Sequence, residues 1–344
     1  FLDCFVRNKF LPRNDVRERT KVKIHLPPLN DVKNICYIIN FMNKNTYKSG
    51  FVAIIGRPNV GKSTMLNQIL GQKIVITTDK AQTTRKRIKG ILTTNEGQIV
   101  FIDTPGVHKP LNKLGEFLLD EAKIAIPDAD LILFLVDGSE PSGKGDKWIV
   151  ENILNQSKTP VLLVLNKIDK TNPEKINANL ETYKNLTIQP LSHSTIQLSA
   201  KTGKGKEKLI YEILNLLPEG QKLYDEDVVT EETMRDVASE IIREKILINT
   251  KEEIPHSVAV KIENYEEKPQ IDRIFANIYC ETPSQKGILI GKGGSLLKII
   301  GTQARLELEQ IVEKKVYLEL NVKVEKDWRK KEQMLKNFGY KSQK

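Results

Sequence analysis

The sequence predicts two folded units in series: an α/β unit with a mostly parallel sheet and helices on both faces, then a smaller α+β unit. Three observations carry that expectation. Short apolar runs alternate with helical stretches from residue 51 onward, a glycine-rich turn joins the first run to the first helix, and the order of elements changes beyond an acidic Pro- and Gly-containing stretch near residue 220. A length of 344 residues also exceeds what one domain usually holds.

The apolar runs are Phe51–Gly56, Ile99–Asp103, Leu131–Asp137, Val161–Asn166 and Thr195–Ser199. Rich in Val, Ile and Leu and without polar alternation, they read as strands covered on both faces, the pattern of a parallel sheet. Chemistry in such a sheet gathers at the C-terminal ends of the strands. Leu217–Val229, with Pro218, Gly220, Asp225, Glu226 and Asp227, breaks the pattern and reads as a linker. Beyond it, Glu231–Ile248 has helical spacing, Ser257–Glu263 and Arg273–Glu281 read as strands, Ser295–Glu313 as a helix and Lys315–Val324 as a strand. With a further helix before Ser295, the order is helix, strand, strand, helix, helix, strand. The expected division is a leader at 1–45, the α/β unit at 46–217, a linker at 218–229, the α+β unit at 230–326 and a C-terminal tail at 327–344.

Composition removes several classes of function. A hydrophobic fraction of 39% and a charged fraction of 28% suit an ordinary globular protein. No apolar run approaches the roughly 20 residues of a spanning helix. Cys4, Cys36 and Cys280 lie too far apart for a zinc site or a disulfide framework, and His25, His108, His193 and His256 are scattered. The net charge of +10 does not by itself indicate nucleic acid, because residues 225–344 hold 21 basic against 22 acidic residues. Residues 1–41 have neither strand alternation nor a helical face, and Met42 precedes the first clear strand. They read as a non-native or disordered extension, with Met42 as the start; the competing reading is a transit peptide, although Asp3, Asp15, Glu18 and Asp31 make the segment more acidic than such peptides usually are.

Gly56-Arg57-Pro58-Asn59-Val60-Gly61-Lys62-Ser63, followed by Thr64, comes after a strand and opens a helix, the context of a genuine P-loop. Its glycines let backbone N–H groups close around a β-phosphate, Lys62 adds charge toward the β- and γ-phosphates, and the Ser63 hydroxyl is placed for magnesium. Asp103-Thr104-Pro105-Gly106 ends the second apolar run; Asp103 can hold the magnesium shell and the Gly106 N–H can sense a γ-phosphate. Asn166-Lys167-Ile168-Asp169 reads the base, since the Asp169 carboxylate accepts both N1–H and N2–H of guanine while adenine offers neither. Ser199-Ala200-Lys201 supports the ring with a backbone N–H toward O6. Within Ala81-Gln82-Thr83-Thr84-Arg85, in the position of a first switch loop, Thr83 or Thr84 would complete the magnesium shell. The ligands implied are GTP or GDP with Mg2+.

With these motifs, and with Glu253-Ile254-Pro255-His256-Ser257-Val258-Ala259-Val260, the chain resembles the Era family of bacterial-type GTPases over residues 46–330. The stretch Gly287-Ile288-Leu289-Ile290-Gly291-Lys292-Gly293-Gly294 is similar to the Gly-x-x-Gly turn of a type II KH domain. There a backbone without Cβ atoms presses against a sugar-phosphate chain and holds about four unstacked nucleotides. Lys286, Gly287, Gly291, Lys292, Gly293 and Gly294 are the candidate RNA contacts. The resemblance implies a P-loop GTPase domain followed by a KH-type RNA-binding domain. It also implies binding near the 3′ end of 16S ribosomal RNA, assistance to small-subunit assembly, a monomer, and a cytoplasmic location, with peripheral contact at the inner membrane left open and organellar import through residues 1–41 the lesser reading.

Three other classes compete: an RNA-binding module with GTP as a structural ligand; a membrane-remodelling GTPase, disfavoured because no long amphipathic or coiled-coil segment follows the nucleotide domain; and a tRNA-modifying GTPase, disfavoured because Cys36 and Cys280 form no catalytic constellation. The residue after Gly106 is Val107 rather than a water-orienting glutamine, which implies slow intrinsic turnover. Catalysis is therefore assigned to Lys62, Thr83, Thr84 and Gly106, together with Asn59. Asn59 either holds a potassium ion in the place of an arginine finger, as related GTPases with this asparagine do, or only shapes the loop.

Overall fold

The computed structural model describes residues 47–80, 83–110, 113–186 and 191–340; the expectations for residues 1–45, Met42, Ala81 and Gln82 fall outside them. Among the described residues the first sheet has six strands, β1 (Lys48–Ile55), β2 (Ile88–Thr93), β3 (Gly97–Asp103), β4 (Leu131–Asp137), β5 (Val161–Asn166) and β6 (Leu191–Gln197), in the order β2-β3-β1-β4-β5-β6. β2 forms an antiparallel hairpin with β3, and the other neighbours are parallel. Between and after them run α1 (Lys62–Leu70), α2 (Lys113–Ile124), α3 (Lys144–Asn152), α4 (Pro173–Lys184) and α5 (Lys206–Leu216).

Successive strand residues face opposite sides. Val52, Ile54, Leu131, Leu133 and Leu135 pack with Met65, Leu66 and Ile69 of α1 and Leu209 and Ile213 of α5. Ile55, Ile132, Phe134 and Val136 pack with Ala122 of α2, Ile149 of α3 and Tyr183 of α4. Because both faces are covered, the runs have no polar alternation, as the sequence implied. β2 escapes sequence reading because it is short and holds Lys89 and Gly90. Tertiary pairing stabilises it, through β3 on one side and the chain at 229–230 on the other, where Ile91 N–H donates to the Val229 carbonyl at 2.8 Å.

The stretch expected as a linker is bonded along its length. Ser49 N–H donates to the Pro218 carbonyl at 3.2 Å, and buried Gln98 accepts from Leu223 and Tyr224 N–H at 2.7 and 2.9 Å. Beyond it come α6 (Met234–Asn249), the single turn α7 (Ile254–Ser257), β7 (Ala259–Glu266), β8 (Ile271–Cys280), α8 (Pro283–Ile290), α9 (Ser295–Val312) and β9 (Lys315–Val324). Among the described residues the second sheet has the order β7-β8-β9, with β7 antiparallel and β9 parallel to β8. Ile300, Ala304 and Leu308, at helical spacing on α9, close its core against Ile274 and Ile278 of β8 and Ile242 and Ile246 of α6.

The segment expected as a C-terminal tail is packed. Trp328 is fully buried and its indole N–H donates to the Ser257 carbonyl at 2.8 Å. The turn α10 (Glu332–Asn337) follows, then Phe338 and Tyr340, and this aromatic group packs against Leu114, Phe117 and Leu118 of α2 and Ala259 of β7. The segment thus joins the α/β half to the α+β half. Replacement of Trp328 by Ala is expected to lower stability by about 3–5 kcal/mol, read from the midpoint of denaturant unfolding. A loss below about 1 kcal/mol would show that the segment does not hold the halves together.

Candidate functional site

The P-loop occupies the turn between β1 and α1, and its backbone is fixed by close contacts. The Gly56 carbonyl accepts from Val107 N–H at 3.1 Å. Gly106 lies so close that a Cβ there would fall 2.7 Å from the Pro58 Cα, so only glycine fits at this crossing. The Arg57 side chain turns toward α3: its guanidinium binds Asp146 at 2.8 Å and Glu140 at 2.6 Å. Its role is to anchor the loop. Val60 is buried in the core, and its carbonyl accepts from the Asn166 side chain at 2.8 Å. Pro58, Asn59, Gly61, Lys62, Ser63, Thr64, Thr83, Thr84 and Gly106 line one concave pocket.

Lys62 folds back so that its ammonium donates to the carbonyls of Gly56 and Arg57 at 3.1 and 3.0 Å. Burial lowers its pKa to about 8, with Asp103 opposing the shift. Across from it, Asp103 Oδ2 accepts from the Ser63 hydroxyl at 2.7 Å, and the Thr84 hydroxyl lies 2.9 Å from that of Ser63. Burial pushes the Asp103 carboxyl up to about 6, and its Oδ1 is buried without a hydrogen-bond partner. Two hydroxyls and a carboxylate with an unengaged, desolvated oxygen form the hard-oxygen donor set that magnesium takes. The Thr83 hydroxyl points elsewhere, donating to the Lys80 carbonyl at 2.6 Å. The Thr104 hydroxyl donates to the Ile54 carbonyl at 2.6 Å, and Pro105 is buried beside it.

Asn59 adopts a positive φ of 62° and donates its amide N–H to the Asp79 carbonyl at 2.9 Å, tying the P-loop to the switch segment. The Val107 side chain is buried among Ile55, Ala122 and Phe134 and faces away from the phosphate pocket. At the other end of the site, Asn166 accepts from Ala200 N–H at 2.8 Å while bonding Val60, so one side chain joins the base loops to the P-loop. Asp169 accepts from the Ser199 hydroxyl at 2.6 Å, Lys167 pairs with Asp137 at 2.6 Å, Ile168 packs on the core and Lys201 is exposed. The N–H groups of Ser199 and Ala200 are both engaged within the protein.

In the second half the turn Gly291–Gly294 lies between α8 and α9, with α8 opened by a capping box of Thr282 and Gln285. Gly293 and Gly294 have φ of 59° and 80°, and a Cβ at either would meet nothing within 4 Å. The backbone there is open to close approach by another chain. Lys292 and Lys298 are exposed, Lys286 is half-buried, and Ile288 and Ile299 present apolar surface on the two helices. Gly287 also faces open space, one helical turn before Gly291.

Sequence reading missed Asp137, whose only signal was its place at the end of a buried strand. It also missed Asp146 and Glu140, which hold Arg57, and Arg243, which donates to the Thr83 carbonyl and carries no local signature; Arg85 was quoted within the switch motif, but nothing in the sequence showed that its side chain enters the KH half.

Fold and site together define a P-loop GTPase domain followed by a KH domain. Family models agree: one described as a 50S ribosome-binding GTPase matches residues 51–167, and a KH domain model matches residues 253–329. The chain is 49% identical over 294 residues to GTPase Era of Nostoc sp., covering 86% of this chain and 90% of that one. It is 48% identical over 297 residues to GTPase Era of Halothermothrix orenii, covering 99% of that protein. A crystal structure of Era in complex with MgGDPNP and nucleotides 1506–1542 of 16S ribosomal RNA superposes with a TM-score of 0.81 at 40% identity, over 86% of this chain and 99% of that one. An Aquifex aeolicus Era bound to GDP·AlF4− gives the same TM-score of 0.81 over 85% of this chain. The chain belongs to the Era family of GTPases.

The direction of the two threonines yields a test. Thr84→Ala is expected to raise the Mg2+ concentration needed for tight GDPNP binding about tenfold, with Thr83→Ala within about twofold of the parent, as measured by fluorescent-nucleotide titration against Mg2+. The reverse order would place the metal on Thr83.

Proposed function

We propose that the chain is a GTP-hydrolysing switch that binds 16S ribosomal RNA and assists assembly of the small ribosomal subunit. The observation that carries the proposal is the joint presence of a complete phosphate, metal and base constellation in residues 56–201 and an open Gly-x-x-Gly turn at residues 291–294. The family model that mentions the 50S subunit stops at residue 167, before the RNA-facing half, whereas the relative crystallised with RNA holds a 16S fragment. In this reading residues 46–217 are the GTPase domain, 218–229 the linker and 230–326 the KH domain, with the packed segment 327–340 serving both.

In the bound protein the backbone of Gly56–Thr64 surrounds the phosphates and Lys62 moves from its carbonyls to the β- and γ-oxygens. Ser63, Thr84 and Asp103 would hold magnesium, whose charge would stabilise the negative charge that develops on the phosphates. The Gly106 N–H meets the γ-phosphate, Asp169 pairs with guanine N1 and N2, and Lys201 supplies the remaining N–H toward O6. Val107, buried in the core, orients no water, so turnover by the isolated chain is slow. The Asn59 amide nitrogen is bonded to the Asp79 carbonyl, which shapes the loop; its side-chain oxygen would be the group available to hold a potassium ion. The proposed location is the cytoplasm, with the ribosome; among the described residues no helix is long and apolar enough to cross a membrane.

Gly294→Asp tests the RNA assignment more cleanly than Gly291→Asp, because a Cβ at Gly291 would lie 2.9 Å from that of Leu296. The variant is expected to bind a single-stranded 16S 3′-end oligonucleotide at least about tenfold more weakly, with GTP affinity unchanged, since a carboxylate at the turn repels phosphate. Equal RNA affinity in both proteins would remove the KH turn from the interface.

A further inference from the structure

Arg85 follows Thr84 directly, yet its side chain leaves the GTPase domain. It is 1% exposed, and its Nη1 donates to the Val258 carbonyl at 2.7 Å and to the Tyr340 hydroxyl at 3.3 Å. Its Nη2 donates to the Pro255 carbonyl at 3.3 Å. The guanidinium carbon stands 5.8 Å from the centre of the Trp328 ring and 6.0 Å from that of Tyr340. The socket is thus made of α7, the start of β7 and the C-terminal segment. One residue before Thr84, the Thr83 carbonyl accepts from Arg243 of α6, also 1% exposed, which is paired in turn with Glu240. At the start of the same loop Thr77 N–H donates to Glu244 of α6 at 3.0 Å. Thr84 is therefore held from both sides by residues of the KH half and the segment after it.

We propose that Arg85 is a positioning residue for hydrolysis: seated in the Trp328–Tyr340 socket, it holds the Thr84 hydroxyl toward Ser63 and Asp103, and the C-terminal segment is thereby a working part of the nucleotide switch. This inference rests on the GTPase reading of the site. Thr84 is 5% exposed and its hydroxyl is already within 2.9 Å of Ser63, so a loop anchored at Arg85 has no distance to travel when the metal binds. The socket is suited to release as well as to holding. Carbonyls, a phenol and ring faces satisfy Arg85 rather than a carboxylate, its Nε is buried without a hydrogen-bond partner, and Arg243 repels it. An arginine bonded by a carboxylate fork would be far harder to withdraw. Loss of the γ-phosphate, and with it of a metal held by Thr84, would remove one of the loop's holds and free the socket to open.

The chain has two tryptophans, Trp148 on α3 and Trp328 in the socket, so Trp148→Phe leaves Trp328 as the sole indole reporter. In that background, Trp328 emission and its quenching by acrylamide are expected to differ between Mg·GDP and Mg·GDPNP. Adding Arg85→Gln is expected to abolish the difference and to raise the Mg2+ concentration for half-maximal hydrolysis about tenfold, with Arg85→Lys partly restoring both, a size within ordinary coupling between sites. If Arg85→Gln does not fold, Tyr340→Phe, which removes one acceptor of the guanidinium, carries the test with a smaller shift in the same direction. Identical Trp328 emission in the two states, with nucleotide bound as read by a fluorescent GDP analogue, would overturn the proposal. So would an unchanged Mg2+ dependence in a folded variant. Failure of the parent protein to bind nucleotide would instead overturn the GTPase reading beneath it.

Discussion

Three consecutive residues of one loop face three different parts of the molecule, and the rest of the structure depends on that divergence. The Thr83 carbonyl meets Arg243 of α6, the Thr84 hydroxyl meets Ser63 and Asp103 at the metal position, and the Arg85 guanidinium enters the aromatic socket at the C-terminal segment. A peptide chain is too short between neighbours for these contacts to change independently, since consecutive Cα atoms lie about 3.8 Å apart. Whatever moves Thr84 therefore strains or relaxes the contacts of both halves. The switch is a property of the covalent chain as much as of any single bond.

The phosphate pocket has the complementary character of charges kept desolvated. Lys62 is lowered to about 8 and Asp103 raised to about 6, in both cases chiefly by burial. A buried ammonium resting on carbonyls and a carboxylate with one unengaged oxygen gain most when an anion and a cation arrive together. Nucleotide triphosphate with its magnesium is such a pair. Arg57 shows the opposite arrangement, because Glu140 and Asp146 already satisfy it.

How much of this was legible in the sequence depended on whether the determinants are local. The P-loop, Asp103-Thr104-Pro105-Gly106, the loops at residues 166–169 and 199–201 and the Gly-x-x-Gly turn were legible as motifs because each combines particular residue types at close spacing, and the structure places them at strand ends and at the turn between α8 and α9. The fold class followed from runs buried on both faces, and β9 was legible at its bounds of Lys315–Val324. Features that depend on distant partners were not legible. β2 owes its strand to edge partners rather than to its own residues, and the segment after Asp327 owes its burial to Leu114, Phe117 and Ala259, far away in sequence. Thr83 and Thr84 are chemically identical, and only the path of the chain separates them.

The central claim is that one loop ties the nucleotide site to the KH half, so that nucleotide state and RNA bound by that half are linked, and linkage is reciprocal. The most direct test is a pair of titrations on the full chain: single-stranded RNA affinity in saturating Mg·GDP and in saturating Mg·GDPNP, then GDPNP affinity with and without saturating RNA. The account predicts a change of at least about fivefold in the first pair and a matching ratio, relative to GDP, in the second. RNA affinity that is the same in both nucleotide states would contradict it.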